Sequence, residues 1–444
     1  MPDPEISSRM RDDWNARARE DMGYYVAFGQ RDQDDAAFFA TATEVINNLE
    51  MELRRAPPAQ RRQWRALEIG CGPGRLMRPM SRHFAEIHGV DVSDEMIARA
   101  REKLSDVPNA HVHVCDGARL TEFPDDWFDF VYSYAVFQHI PSQDVVYEYL
   151  REIRRVLKPG GLTRLQFNGL PRGYGGAEAP HDTPFDTWSG SRLTSSEIFE
   201  FTQMHNLQLL ALEGAGTQYL WTTWSKQPDG WFAAQQERTF APDAVSIRRI
   251  TNASSTEPLA PSRGHFSAIS LGVEHLPPEA GLHHLRVSIG DSLGAVAYVG
   301  PPDNIRWQQI MVLLPELEAT GLLPVELRWL DALIAAPATL RVIPPGPMVP
   351  CIKAVTDGVN LTAGRRIESR TVKVTLEEVA HPHEVDATVG GFAAEELGFF
   401  CVDPRPQRFE VNFRLPEEIG PGEHALEVRI GRRKFAPVML EVLA

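Results

Sequence analysis

From residue 65 to 165 the chain alternates two textures. Short, nearly continuous apolar runs (RALEIG, EIHGVDVS, AHVHVCDG, FDFVYSY and LTRLQFNG) are separated by stretches whose apolar positions recur three and four apart. The spacing predicts a helix from Asp94 to Leu104. It predicts another that carries Val146, Tyr149, Ile153, Val156 and Leu157 on one face and stops before KPGG. Strands without polar alternation are buried on both faces, and amphipathic helices between them supply the cover. The expectation is an α/β, Rossmann-like, doubly wound parallel sheet. In LTSSEIFEFTQMHN, Thr194 is placed to N-cap a further helix, with Glu197 completing a capping box. LQLLALEGAGTQYLWTTWSK reads as two strands around Gly214–Gly216.

After Lys226 the helical periodicity stops. QPDGWFAAQQERTFAPDA reads as a linker, assigned to residues 227–245, and the remainder is rich in Pro, Gly and short β-type runs. An internal echo divides it. VSIGDSLGAVAYVG, VLLPELEATGLLPVELRW and TLRVIPP are answered about one hundred residues later by ATVGGFAAEELGFF, FRLPEEIGPGEHALEVRI and MLEVLA. Gly290 answers Gly390, Pro315 answers Pro416, and Arg328 answers Arg429. Two tandem all-β units are expected, 246–347 and 348–444, each a β-sandwich. Their strand pattern resembles the immunoglobulin-like IPT/TIG family, which implies compact modules that present edges and loops, for dimerisation or for shaping a neighbouring site.

A length of 444 residues, with 43% apolar and 24% charged residues, suits a multidomain globular protein. The net charge of −15 repels phosphate backbones and anionic headgroups, so neither nucleic acid nor membrane is expected as a partner. The one basic cluster, Arg54, Arg55, Arg61, Arg62 and Arg65, reads as a solvated face. Four cysteines without a CxxC pair, and no leader-like or spanning apolar stretch, suggest a cytoplasmic protein.

The candidate chemistry lies in LEIGCGPGR. Gly70, Gly72 and Gly74 follow the first strand at alternate positions, behind Glu68. Glycine permits left-handed backbone and close approach to a ligand. A dinucleotide fingerprint needs G-x-G-x-x-G; here the third glycine comes one position early. With HGVDVSDEM, VHVCDGARL, FDFVYSYAVFQHI and VLKPGG in order, the stretch from about residue 10 to 226 resembles class I S-adenosylmethionine-dependent methyltransferases. That resemblance implies S-adenosylmethionine as cofactor, with S-adenosylhomocysteine as product. It implies Asp91 on the ribose hydroxyls, Val92 and Met96 against adenine, and Asp116 with Gly117 and Ala118 at the adenine amino group. Ser133 and Tyr134 would hold the methionine part. Glu68, Gly70, Cys71, Gly72, Gly74 and Cys115 complete the implied cofactor contacts. WNARAREDMGYYVAF resembles the helix that closes over the cofactor, so Trp14, Tyr24, Tyr25 and Phe28 are lid candidates.

A general base is needed if the methyl acceptor is a hydroxyl or a protonated amine. His139, after the fourth strand, is the candidate, because an ordinary imidazole titrates near neutrality. The acceptor wall is expected from Phe137 and from the long segment after the fifth strand, with Asn168, Arg172, Tyr174, His181 and Trp188. HPHE at His381–Glu384 lacks a third ligand at metal spacing, and no G-x-S-x-G or Walker lysine appears. The expected function is methyl transfer to oxygen or nitrogen of a small molecule. Two readings compete with it: an S-adenosylmethionine-binding assembly protein without transfer, and an NAD-dependent oxidoreductase.

Overall fold

A computed structural model describes residues 4–27, 35–170, 187, 190–241, 244–302, 307–359, 363–403 and 407–443. Its first half is a seven-stranded sheet made of β1 (Arg65–Ile69), β2 (Glu86–Asp91), β3 (Ala110–Val114), β4 (Phe128–Ser133), β5 (Leu157–Phe167), β6 (Leu207–Glu213) and β7 (Leu220–Lys226). The order is β3-β2-β1-β4-β5-β7-β6. β1 to β5 run parallel, whereas β7 runs antiparallel to both β5 and β6. The last two strands therefore form a hairpin, which the Gly214–Gly216 turn signal anticipates. The order reverses between β1 and β4, so the crevice at their carboxyl ends is where an open sheet accepts a ligand.

Helices cover both faces. Asp94–Lys103 buries Met96, Ile97 and Ala100, and Gln143–Val156 buries Val145, Val146, Tyr149, Leu150, Ile153 and Val156. The capping box at Thr194 and Glu197 forms as the sequence suggests. The N-terminal helix, Pro4–Ala27, breaks at Asp21, whose carboxylate accepts the Tyr24 N–H at 2.9 Å and restarts the last turn. Asn15 pins this helix to the end of β2 by accepting the Ser93 hydroxyl at 2.6 Å and the Glu95 N–H at 3.2 Å.

The β half repeats strand for strand. The first module contains β8 (Ser246–Asn252), β9 (Leu259–Pro261), β10 (Ala268–Glu274), β11 (Leu285–Ile289), β12 (Ser292–Pro302), β13 (Trp307–Leu313), β14 (Gly321–Trp329), β15 (Ala332–Leu333) and β16 (Ala338–Ile343). Its paths β8-β10-β13-β12 and β12-β11-β14-β16-β9 share β12. The second module contains β17 (Cys351–Asp357), β18 (Arg366–Ile367), β19 (Thr371–Glu377), β20 (Val385–Val389), β21 (Phe392–Ala393), β22 (Glu395–Asp403), β23 (Arg408–Arg414), β24 (Gly422–Ile430), β25 (Arg433–Lys434) and β26 (Val438–Val442). Its sheets, β17-β19-β23-β22 and β18-β26-β24-β20-β21, have the same plan, with the long β12 of the first copy divided into β21 and β22. Gly290 and Gly390 close equivalent hairpins with φ of +56° in each, a left-handed geometry that glycine adopts without a Cβ penalty. The periodicity seen in the sequence is thus a duplicated two-sheet unit.

The first module is fused to the α/β half. β12 pairs with the edge strand β6 at Tyr298 and Ala211. Leu282 N–H donates to Leu209 O at 2.8 Å, and Gln208 Nε2 donates to Pro278 O and Ala280 O. One hydrophobic core runs from Leu67 through Leu209 to Leu285 and Leu327. The expected linker is part of this body: it carries a helix, Trp231–Gln236, with Trp231 buried and Gln235 O accepting the Trp329 indole N–H at 3.0 Å. In the basic cluster Arg54 and Arg62 are exposed, as a solvated face requires, but Arg55 departs from that expectation. Arg55 is largely buried, pairs with the fully buried Glu52 at 2.7 Å, and donates to Val299 O at 2.8 Å. Arg164, 1% exposed, pairs with Glu213 at 2.8 Å and bonds Asn48 and Thr223. The second module has its own core, including Val374, Phe413 and Leu426.

A chain ending at residue 347 should keep the cooperative unfolding of its α/β half, whereas one ending at Lys226 should lose it. The shorter cut strips Leu209 and Leu212 of cover and removes the Val299 carbonyl to which Arg55 donates, and losing one hydrogen bond to a charged group already costs about 1.5–3 kcal/mol. Melting curves and size-exclusion profiles of the two truncations check this; a stable, monodisperse 1–226 fragment would refute the fused arrangement.

Candidate active site

The cleft opens at the carboxyl ends of β1, β2 and β4, where strand order reverses. Counted out into the solvent at its opening, the cleft spans about 890 Å³. The N-terminal helix supplies Met10, Trp14, Tyr25 and Val26 to its wall. The turn after β1 supplies Gly70, Cys71, Gly72, Arg75 and Leu76, and the loop after β4 supplies Tyr134, Ala135, Val136, His139 and Ile140.

Asp91 ends β2 and faces the cleft. Its two carboxylate oxygens accept the N–H groups of Gly72 and Ser93, each at 2.9 Å. Burial raises its pKa to about 6, and the backbone N–H groups oppose that rise. Each carboxylate oxygen has a second lone pair, so the group still has capacity for a ligand diol. Glu68 lies deeper, accepts the Tyr132 hydroxyl at 2.7 Å, and is pushed by burial up to about 8, so it carries its proton at neutral pH. Cys71 and Cys115 are buried thiols held well above the ordinary thiol range by desolvation, Cys115 at about 12; neither is a nucleophile at neutral pH.

The three glycines divide by role. All have positive φ. A Cβ on Gly70 would sit 2.3 Å from Val136 Cγ2, and one on Gly74 would sit 2.7 Å from Leu104 Cδ1. These two are therefore required by packing of the turn against the β4 loop and the Asp94–Lys103 helix. A Cβ on Gly72 would approach only Val26, at 3.7 Å, so Gly72 is the open face of the turn. Ala135, with φ of +56°, occupies the left-handed region without being glycine, and its N–H donates to Gln166 Oε1 at 2.9 Å. Backbone strain of this kind collects at ligand sites.

Of the residues singled out in the sequence, Glu68, Gly70, Cys71, Gly72, Asp91, Val92, Met96, Gly117, Tyr134, Tyr25, Trp14 and His139 line the cleft. Others are placed elsewhere. Gly74 faces Leu104, and Cys115 lies behind the wall with its sulfur 3.5 Å from the Tyr149 hydroxyl. Ser133 is fully buried and ties β4 to β1 through Ile69 O. Ala118 is buried, and Asp116 is exposed, where it caps its own turn by accepting the Ala118 and Arg119 N–H groups. Tyr24 points away, with its hydroxyl donating to Val359 O at 3.3 Å. Phe137 belongs to the core, stacked on Phe167 at 4.8 Å, because the short helix after β4 turns it inward. Asn168 closes its own turn through Leu170 N–H. Phe28, Arg172, Tyr174, His181 and Trp188 lie outside the described residues. Sequence reasoning missed Arg75, Val136 and Tyr149; Arg75 stood in the quoted glycine turn, where a cation directly after the last glycine was the available signal.

His139 is 6% exposed. Its ring stands edge-on to Trp14 at 5.5 Å, with its Nε2 3.3 Å from Gln138 Nε2. Among the described residues, no group of three or more His, Cys, Asp or Glu is arranged to hold a metal ion. No helix among them is long and apolar enough to cross a membrane.

Residues 67–165 match the family model described as "Methyltransferase domain". That stretch, from β1 into β5 of the α/β half, is thus similar to a methyltransferase domain. Such a domain uses S-adenosylmethionine, and the cleft fits that group: a carboxylate with spare lone pairs, an open glycine, aromatic walls and a buried cation face one space. The chain is 34% identical over 111 residues to phosphoethanolamine N-methyltransferase 2 of Caenorhabditis elegans, covering 24% of each chain. It is 36% identical over 111 residues to phosphatidylethanolamine N-methyltransferase of Cereibacter sphaeroides, covering 24% of this chain and 52% of the relative. It is 33% identical over 135 residues to ubiquinone biosynthesis O-methyltransferase of Roseobacter denitrificans, covering 30% of this chain and 52% of the relative. The matches thus span from a quarter to half of these relatives. Among solved structures, Haemonchus contortus phosphoethanolamine N-methyltransferase 2 in complex with S-adenosyl-L-methionine shares 28% identity over 36% of each chain, with a TM-score of 0.31.

Gly74→Ala should lower stability by about 1–3 kcal/mol, through its positive φ and the clash with Leu104. Affinity of the folded fraction for S-adenosylhomocysteine should stay within about twofold of wild type, a difference well below 1 kcal/mol. Chemical denaturation and calorimetry measure the two; a large affinity loss at unchanged stability would return Gly74 to the ligand wall.

Proposed function

We propose that the protein transfers a methyl group from S-adenosylmethionine to an oxygen or nitrogen of a small-molecule acceptor. The observation that carries this is Asp91, a half-buried carboxylate at the crevice, oriented by two backbone N–H groups beside the open Gly72. When bound, the cofactor supplies a methyl group on a sulfonium, an electrophile that needs only an aligned lone pair. The chain's task is then to hold the acceptor in line and exclude water, and proximity of this kind accounts for much of the rate.

Asp91 would take the ribose hydroxyls, while Val92 and Met96 would wall the adenine. Gly117 would adjoin it: its left-handed backbone lies against Met10 and Val92. Tyr134 would lie along the amino-acid end. His139 would receive the acceptor proton, since it shares the wall with Trp14 at the mouth under the N-terminal helix. Three relatives are named as methyltransferases for phosphoethanolamine, phosphatidylethanolamine and ubiquinone biosynthesis, which supports a metabolite acceptor. The β-modules read as immunoglobulin-like. The Tyr24 contact with Val359 supports a role for the second one in shaping the acceptor entrance, ahead of dimerisation. A cytoplasmic location remains part of this reading.

Calorimetry should show binding of S-adenosylmethionine and S-adenosylhomocysteine but not NAD, and Asp91→Asn should weaken both by about 10- to 100-fold. Because the raised pKa of Asp91 is about 6, its carboxylate is charged above that value and protonated below it. Wild-type affinity should therefore fall as pH drops through 6, and this dependence should vanish in Asp91→Asn. Binding of NAD alone would overturn the proposal.

His139→Ala should leave S-adenosylhomocysteine affinity within about twofold while lowering transfer from labelled cofactor into a metabolite extract by about 100-fold or more. Undiminished transfer would remove the general-base role. If no extract component gains a methyl group while cofactor binding is intact, the binding-only alternative would stand.

A further inference from the structure

We propose that Arg75 is an anion-binding residue of the cleft and that its ligand is a carboxylate, the one at the amino-acid end of the cofactor. This rests on the cofactor reading given above.

Arg75 is 6% exposed yet lines the cleft. Its Nη1 donates to Thr41 Oγ1 at 3.1 Å, and its Nε is buried with no hydrogen-bond partner. No carboxylate among the described residues lies within ion-pairing distance of it. Glu68 is near enough to favour its charge, but burial keeps Glu68 protonated at neutral pH, so it does not neutralise the guanidinium. A buried cation with an unmet donor carries a large desolvation cost, which an incoming anion would relieve.

The neighbours fix its plane. The guanidinium carbon lies 5.9 Å from the centroid of Tyr134, and Tyr134 stacks on Trp221 at 5.5 Å with an 8° interplanar angle. Trp221 in turn carries the guanidinium of Arg164 at 4.9 Å. Arg164 is held by Glu213, Asn48 and Thr223 at the seam with the first β-module. A row of two cations and two stacked rings thus runs from the seam to the cleft and leaves the Arg75 fork little freedom. A planar fork held still is suited to a carboxylate.

The strand order identifies which end of a ligand arrives there. β1 lies between β2 and β4. A nucleoside anchored at Asp91 on β2 and crossing Gly70–Gly72 after β1 brings its far end to the β4 loop, where Tyr134 and Arg75 meet. In the proposed cofactor that far end is the amino acid. The same geometry would serve an acidic acceptor entering from the β4 side, and the two sources of carboxylate separate experimentally.

The test is titration of wild type, Arg75→Gln and Arg75→Lys with S-adenosylhomocysteine and with 5′-methylthioadenosine, the same nucleoside thioether without the amino-acid arm. Arg75→Gln should weaken S-adenosylhomocysteine by about 10- to 100-fold and leave methylthioadenosine within about twofold. Arg75→Lys, which keeps the charge but not the fork, should fall between, and it carries the comparison if the glutamine variant does not fold. Unchanged S-adenosylhomocysteine affinity, with loss of acetate binding to the S-adenosylhomocysteine complex, would assign the anion site to the acceptor and overturn the cofactor assignment. An equal fall for both nucleosides, or no change in any titration, would overturn the proposal outright. Failure of the wild type to bind either nucleoside would instead overturn the cofactor reading itself, and this inference with it.

Discussion

The Asp91 carboxylate is the joint on which the α/β half is assembled around its cleft. One oxygen holds Gly72 in the turn after β1, and the other holds Ser93 at the start of the Asp94–Lys103 helix. Ser93 in turn accepts the Met96 N–H at 3.1 Å to cap that helix, and its hydroxyl donates to Asn15 of the N-terminal helix. Turn, strand end, helix cap and N-terminal helix thus share one hydrogen-bonded chain. A ligand that displaced or protonated this carboxylate would disturb all four, whereas one that used its spare lone pairs would inherit their alignment. Hydrogen bonds to an ionised group are about twice as strong as neutral ones, which is why a single side chain can hold these elements in register.

Polar groups also decide how the two halves meet. The seam between β6 and β12 buries Glu52, Arg55 and Arg164 beside Tyr298. Such charges add little net stability over an apolar filling, but they tolerate only one arrangement. The sheet edge at β6 would otherwise present open backbone groups to any strand. Pairing it with β12 and locking the register with buried ions closes that edge within the chain.

Much of this was legible in the sequence because it follows local rules. Apolar runs and helical spacing locate β1 to β5 and their helices. The capping box marks Thr194, and the hundred-residue echo marks the duplicated β unit down to the matched turns at Gly290 and Gly390. Asp91, Gly72 and Tyr134 were legible by their places at strand ends. What escaped depends on contacts between distant segments. Arg55 is polar and sits in a basic run, yet it is buried because a strand some 240 residues later supplies Val299 O as its acceptor. Phe137 sits in the right loop but turns inward, since a single short helical turn decides which side chains face the cleft, and Ser133 ends β4 with its hydroxyl spent on Ile69 O of β1. Gly70 and Gly74 look like Gly72 and are distinguished from it only by Val136 and Leu104 opposite.

The two β copies, built on one plan, relate to the cleft in different physical regimes. The first is bound through a shared core, a strand pairing and buried ions, and the Arg164–Trp221–Tyr134 row carries its position into the cleft wall. The second forms its own sheets, and Tyr24 of the N-terminal helix donates a neutral hydrogen bond to its Val359 O. A contact of that kind is worth about 0.5–1.5 kcal/mol, so by itself it biases the N-terminal helix without fixing it. Duplication has thus given the chain one copy that shares the α/β core and one with sheets and a core of its own, and the difference lies in which edge of the repeat found a partner among the described residues.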